Sequence, residues 1–88
     1  MTRLEDFKTT DIELAAAIMT ASKAKPLAII PGLDLVEFVF PDDETTQAVI
    51  RKYAAGTLFQ EVRRLAAHRK WLYRQIKEVE KKGREVRP

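Results

Sequence analysis

The chain of 88 residues has no cysteine, one histidine (His68), one serine (Ser22) and three glycines. Without cysteine there is no disulfide framework, thiol nucleophile or thiolate metal site. A lone serine and a lone histidine leave no material for a serine–histidine–acid set, and no Gly-rich run exists to cradle a phosphate. Long apolar stretches are missing too. The longest, Leu27 to Leu33, is interrupted by Pro31-Gly32 and falls far short of the roughly 18 residues a membrane span needs. The opening Met1-Thr2-Arg3-Leu4-Glu5-Asp6 lacks the charged-then-apolar layout of a secretory signal, so a cytoplasmic address and no membrane association are expected. The one dense carboxylate cluster, Asp42-Asp43-Glu44, reads as helix capping rather than as a metal site. Glu37 by itself does not form an acid–base pair. A protein that is not an enzyme, with no catalytic residue, metal, cofactor or small-molecule substrate, is the expectation.

What is present is a globular composition, 45% hydrophobic and 33% charged, at a length that supports one core. Charge is unevenly placed. Residues 1–50 carry four basic against nine acidic side chains, a net of −5. Residues 51–88 carry twelve against four, a net of +8, which together give the overall +3. An acidic first part and a basic second part point to nucleic acid, an anionic surface or a second copy of the chain as partner.

Thr10-Asp11-Ile12-Glu13 reads as a capping box opening a helix to about Ser22, with Ile12, Ala15, Ala16 and Met19 on one stripe beside Leu14 and Ile18. Pro26 ends any continuation. Leu27–Ile30 and Leu33–Phe40 read as a hairpin, with Pro31-Gly32 at the centre of a type II turn. Alternation sends Val36, Phe38 and Phe40 to the core face and Leu35, Glu37 and Val39 to the other. Phe7-Lys8-Thr9 offers a short further strand. Pro41-Asp42-Asp43-Glu44 opens a second helix, capped by Asp42 or Asp43, which carries Val49, Ile50, Tyr53 and Ala54 and ends at Gly56. Thr57 to Gln60 reads as a second capping box, which makes Gly56-Thr57 a corner. From it a last helix is expected over Leu58–Lys82, closing at Gly83. The order is thus β-α-β-β-α-α, an α+β domain with a hairpin packed on helices and a long C-terminal helix. Residues 1–6 are expected to be a flexible arm, 7–56 the α+β core, 57–82 the basic amphipathic helix and 83–88 a tail. Val36, Phe38, Phe40, Ile12, Met19, Tyr53, Val62 and Leu65 are the expected core.

The last helix carries most of the information. Leu58, Val62, Leu65, Arg69, Leu72, Ile76 and Val79 follow each other at alternating steps of four and three, a heptad pattern with one charged member. The stripe can pack within the chain or between chains. A mixture is expected, with the first half packed on the body and Leu72, Ile76 and Val79 contributing to a homodimer seam. On the opposite side Arg63, Lys70, Arg74, Lys77 and Lys81 fall within about 40° of one line at 100° per residue. Trp71 flanks the line. A row of cations beside an aromatic matches what a phosphate backbone needs, so these six residues are the candidate DNA- or RNA-binding set; a merely solvated basic face is the plainer reading.

The order Phe7-x-Thr9-x-Asp11-Ile12-x-Leu14-Ala15-Ala16, then Val36-x-Phe38-x-Phe40, then Tyr53-x-x-Gly56 before a basic helix with Leu72 and Ile76, resembles a small uncharacterised family of bacterial and phage proteins. The resemblance spans most of residues 7–77 and implies a compact α+β module. Its motifs are caps, a hairpin core and a helix corner, so it carries over no catalytic residue. The expected function is a non-enzymatic, nucleic-acid-associated or regulatory protein that binds polyanions through the basic helix face. The alternative is a protein–protein or dimerisation module without nucleic-acid binding.

Overall fold

The structure, a computed structural model, describes residues 6–86, with side chains through Lys81. The order is β1 (Asp6–Thr9), α1 (Ile12–Ser22), β2 (Ala28–Pro31), β3 (Val36–Pro41), α2 (Glu44–Ala55) and α3 (Val62–Val86). This is the α+β arrangement expected, with a three-stranded antiparallel sheet in the order β1-β3-β2. The expected flexible arm falls on residues 1–5, outside the described ones, and on Asp6, which opens β1.

The central strand sets the core. Phe7 pairs with Phe40, and Thr9 and Ile29 flank Phe38, so the inner face of the sheet is lined by aromatic and aliphatic groups. Phe38 and Phe40 are buried there, with Phe7, Ile29 and Val36 packed against the same cluster. The other face carries Lys8, Ala28, Ile30, Glu37 and Val39. Val39, flanked by Lys8 and Ala28, is only 4% exposed yet lies outside the core cluster.

Helix α1 lies at the centre of the helical layer. It packs against both α2 and α3 and touches β1, whereas α2 and α3 scarcely meet among the described residues. Six consecutive residues, Leu14 to Met19, are buried as a result. A helix covered on all sides loses its single apolar stripe. The run Ala15-Ala16-Ala17 allows neighbours to approach closely on every side. Asp11, not Thr10, is the N-cap: its Oδ1 accepts from the amides of Glu13 (3.0 Å) and Leu14 (3.2 Å). Thr9 Oγ1 accepts from the Asp11 amide, so the chain turns one residue later than a Thr10 box requires. The helix stops before Pro26 acts, because Lys23 takes the left-handed conformation (φ 58°) and returns its amide to the Met19 carbonyl.

The hairpin turn also differs from expectation. Pro31 is still in β2, opposite Val36, and the connection is Gly32–Leu35. Gly32 has no positive φ, so a type II turn centred on Pro31-Gly32 does not form. Glycine is needed for another reason: a Cβ here would lie 2.5 Å from the Leu35 carbonyl oxygen, which accepts from the Gly32 amide.

Asp43 caps α2 through the Thr46 amide, and Asp42 accepts from the Gln47 side chain, which accounts for the carboxylate pair as capping. The helix ends in a Schellman arrangement: Gly56 (φ 73°) donates to Tyr53 and Thr57 to Lys52. The second capping box is not used. Residues 57–61 are non-helical, and Gln60 instead donates its side-chain amide to the Ala17 carbonyl of α1 at 2.8 Å. α3 therefore begins at Val62 and runs past Gly83 to Val86, which removes the expected break before an 83–88 tail.

Two expected core residues lie at the edge. Tyr53 is 37% exposed, its hydroxyl donating to Asp11 Oδ2 at 3.0 Å. Val62 is 76% exposed. Successive heptad positions drift around a straight helix by about 20° per repeat, which leaves Val62 about 80° from Leu72, the residue pointing straight at the core.

Candidate nucleic-acid interface

α3 docks through Leu65, His68, Arg69, Leu72 and Ile76. Leu72 is fully buried, and Leu65 and Ile76 pack on the core. The helix packs against α1 and also touches β2. Within the heptad stripe, Leu58, Leu65, Leu72 and Ile76 are packed on the core of the chain, while Val62 stays exposed. Of the three residues expected in a homodimer seam, Leu72 is fully buried within the chain, Ile76 is partly buried on the core, and Val79 is half-buried.

Two polar contacts fix the rotation of α3 about its own axis. Arg69 Nη1 lies 3.0 and 3.1 Å from the two carboxylate oxygens of Glu13 on α1, which explains a charge inside the apolar repeat. Arg69 sits about 60° from Leu72, at the margin where a guanidinium reaches across while staying partly wet. Thr20 Oγ1 donates its single proton to the Ala16 carbonyl at 2.8 Å and so accepts from His68 Nδ1 at 2.9 Å, which places a proton on that ring nitrogen.

With the rotation set, the opposite face of α3 is turned to solvent. Arg63, Lys70, Arg74, Lys77 and Lys81 are all exposed. The line from Arg63 to Lys81 covers eighteen residues, about 27 Å at 1.5 Å each. Among the described residues none of the five has a carboxylate within ion-pairing distance; the ion pairs present are Arg64–Glu61 and Arg69–Glu13. Glu78 is on the same helix about 60° away from the line and makes no ion pair with Arg74, Lys77 or Lys81.

Trp71 stands apart from the other five. It is half-buried, packs against the core cluster and carries the Lys25 ammonium 5.1 Å from its ring centroid. The exposed aromatic expected beside the row is thus engaged by the body, because Trp71 is turned about 100° from Leu72 toward the segment that follows α1. The two most exposed aromatic residues among the described ones, Phe59 at 92% and Tyr73 at 51%, had no place in the sequence-derived site. Both stand beside the apolar stripe, Phe59 next to Leu58 and Tyr73 next to Leu72, so the periodicity alone assigns them to it.

Two clefts adjoin the 57–61 connection. One, about 480 Å³, lies between α1 and α2 and is lined by Thr20, Glu44, Lys52, Leu58, Phe59 and Arg64 among others. The other, about 290 Å³, is lined by Glu13, Ala17, Tyr53, Leu58, Gln60 and Leu65. Gln60 Oε1 is buried at this point without a hydrogen-bond partner among the described residues. No group of three or more metal-ligating side chains occurs among the described residues. No described helix is long and apolar enough to cross a membrane.

Searches of family models, curated proteins and solved structures give no match to this chain.

Proposed function

We propose that the protein is a non-enzymatic nucleic-acid-associated factor that holds phosphates on the outer face of α3. The carrying observation is the set of five exposed cations, Arg63, Lys70, Arg74, Lys77 and Lys81, aligned on a rigid rod and without carboxylate partners among the described residues. A helix docked by one face to the body presents the other at fixed spacing, which lets several counterions be displaced from a polyanion at once. The test is direct titration of DNA and RNA oligonucleotides with the full chain and with the Arg74→Glu, Lys77→Glu double variant. Loss of binding in the double variant supports the reading. Equal binding by both proteins, or none by either, overturns it.

A second reading, a protein-interaction module, draws on the hairpin. Ile30, Leu33 and Leu35 are 40%, 103% and 63% exposed at and beside the turn of the hairpin. An apolar tip of that kind suits a protein partner. Leu33→Lys together with Leu35→Lys should then abolish self-association in sedimentation while leaving oligonucleotide binding intact.

A further inference from the structure

We infer that the phosphate-holding surface continues from α3 onto the loop between α1 and β2, with Lys25 as its sixth cation; the inference rests on the reading just given. The Lys25 ammonium stands 5.1 Å from the centroid of the Trp71 ring. Trp71 follows Lys70 directly and lies one helical turn before Arg74, both members of the exposed row. Side chains one turn apart have Cβ atoms about 5–6 Å apart, so the ammonium is on the order of 10 Å from the row. That is about one Debye length at 0.1 M salt, near enough for a bound polyanion to meet both. Lys25 is exposed, and no carboxylate lies within ion-pairing distance of it among the described residues.

The loop holds Lys25 in place from both ends. The Lys23 amide donates to the Met19 carbonyl at 2.7 Å, the Ala24 amide to Ser22 Oγ at 3.3 Å, and the Leu27 amide to the Val39 carbonyl at 2.7 Å. Pro26 also pushes the backbone of Lys25, the residue before it, toward extended conformations. The Trp71 ring then steadies the ammonium by cation–π attraction, so little freedom is left to lose when a phosphate arrives. Covering the ring needs no charge: a leucine or methionine would do so without the repulsion that Lys25 meets from Lys70 and Arg74. A charge kept there against that repulsion suits an anionic partner. The rest of this flank of α3 is taken: Arg64, seven residues before Trp71, is paired with Glu61, and Glu78, seven residues after it, is acidic. Among the described residues Lys25 is therefore the cation that widens the row on this side.

The experiment is an anisotropy titration of labelled DNA and RNA oligonucleotides, duplex and single-stranded, at two salt concentrations. The full chain is compared with Lys25→Met, which keeps an unbranched side chain over the ring without its charge, and with Lys25→Arg, which restores the charge. Lys8→Gln, on β1 at the sheet edge opposite β2, removes one positive charge elsewhere. Lys25→Met should weaken binding of whichever oligonucleotide the full chain holds. One phosphate contact fewer should also reduce the affinity lost on a fourfold rise in salt, by about 3.5-fold for a DNA duplex or about 2.6-fold for a single strand. Lys25→Arg and Lys8→Gln should keep the salt response of the full chain, which separates a phosphate contact from net charge and from packing. A Lys25→Met response equal to that of the full chain, while Arg74→Gln with Lys77→Gln reduces it, overturns the extension to the loop and keeps the α3 site. Equal reduction by Lys8→Gln overturns it too, since net charge alone then accounts for the change. Failure of every oligonucleotide to bind removes the α3 site and the inference with it.

Discussion

Tyr53 donates its hydroxyl to a carboxylate that already serves as the N-cap of another helix. Burial, the hydrogen bond to Asp11 and the negative charges of Asp11 and Glu13 all push its phenol above the ordinary value near 10. The folded state therefore keeps the proton longer than the unfolded one. The stability this contributes is complete below the unfolded pKa near 10 and is lost as pH rises through the higher folded value. In a Tyr73→Phe background, near-ultraviolet absorbance should show Tyr53 ionising late. Asp11→Asn should bring that ionisation down without uncapping α1, since asparagine caps as well as aspartate. An unchanged titration midpoint would mean the carboxylate is not what holds the proton. None of this was legible in the sequence, where Thr10-x-x-Glu13 and Asp11 both qualify as caps and Tyr53 simply joins an apolar stripe. The choice between them depends on Thr9 Oγ1 engaging the Asp11 amide, and on a hydroxyl reaching across from α2, which are tertiary facts. Lys23 is similar. Its left-handed φ of 58° at the end of α1 has no glycine to announce it. Lys23→Gly should relieve that conformation and raise stability in urea by about 1 kcal/mol; a loss would mean the lysine side chain contributes more than its backbone costs.

At the scale of elements, strand parity was the most legible feature. Val36-x-Phe38-x-Phe40 faces the core as period-two alternation requires, because the sheet has one covered face. Residue Val39 shows the limit of parity: a central strand can bury an outward side chain between its neighbours. The existence of α3 was legible, but not what its stripe packs against, since a heptad pattern is the same whether the surface opposite belongs to the same chain or another. The structure decides this at Leu72, 0% exposed against α1 and the sheet. Leu72→Ala should cost about 2–5 kcal/mol in chemical denaturation, while Val79→Ala, at a half-buried position outside the core cluster, should cost less than about 1 kcal/mol. Similar costs at the two positions, varying with protein concentration, would return the seam to the interface between chains. The start of α3 was misplaced by four residues because Gln60, three after Thr57, satisfies the capping pattern while its amide is used on α1 instead.

At the scale of the whole molecule, the charge division seen along the sequence becomes a division in space only in part. Glu13 draws Arg69 back to the body, and Glu61 holds Arg64, whereas the five cations of the outer row stay clear of carboxylates among the described residues. Long-range attraction to a polyanion should therefore vary with salt far more than folding stability does. The chain's radius of gyration, 13.9 Å, exceeds the about 12 Å expected of a compact chain this long, as a projecting helix would produce. The distal half of that helix is not an appendage, however. A chain ending at Arg69 lacks Leu72 and Ile76, so it should lose cooperative unfolding by circular dichroism as well as any nucleic-acid binding. A truncated chain that melts like the intact one would contradict the core assignment of Leu72.

Because α2 and α3 each lean on α1 and scarcely on one another, the six residues that join them, Gly56 to Glu61, are a leash and not a girder. Phe59, almost wholly bared in that leash, is where a protease that favours aromatic residues would cut first. The two pieces should then stay together, with Gln60 still moored to Ala17, and peptides made separately for residues 1–59 and 60–88 should reassemble on mixing.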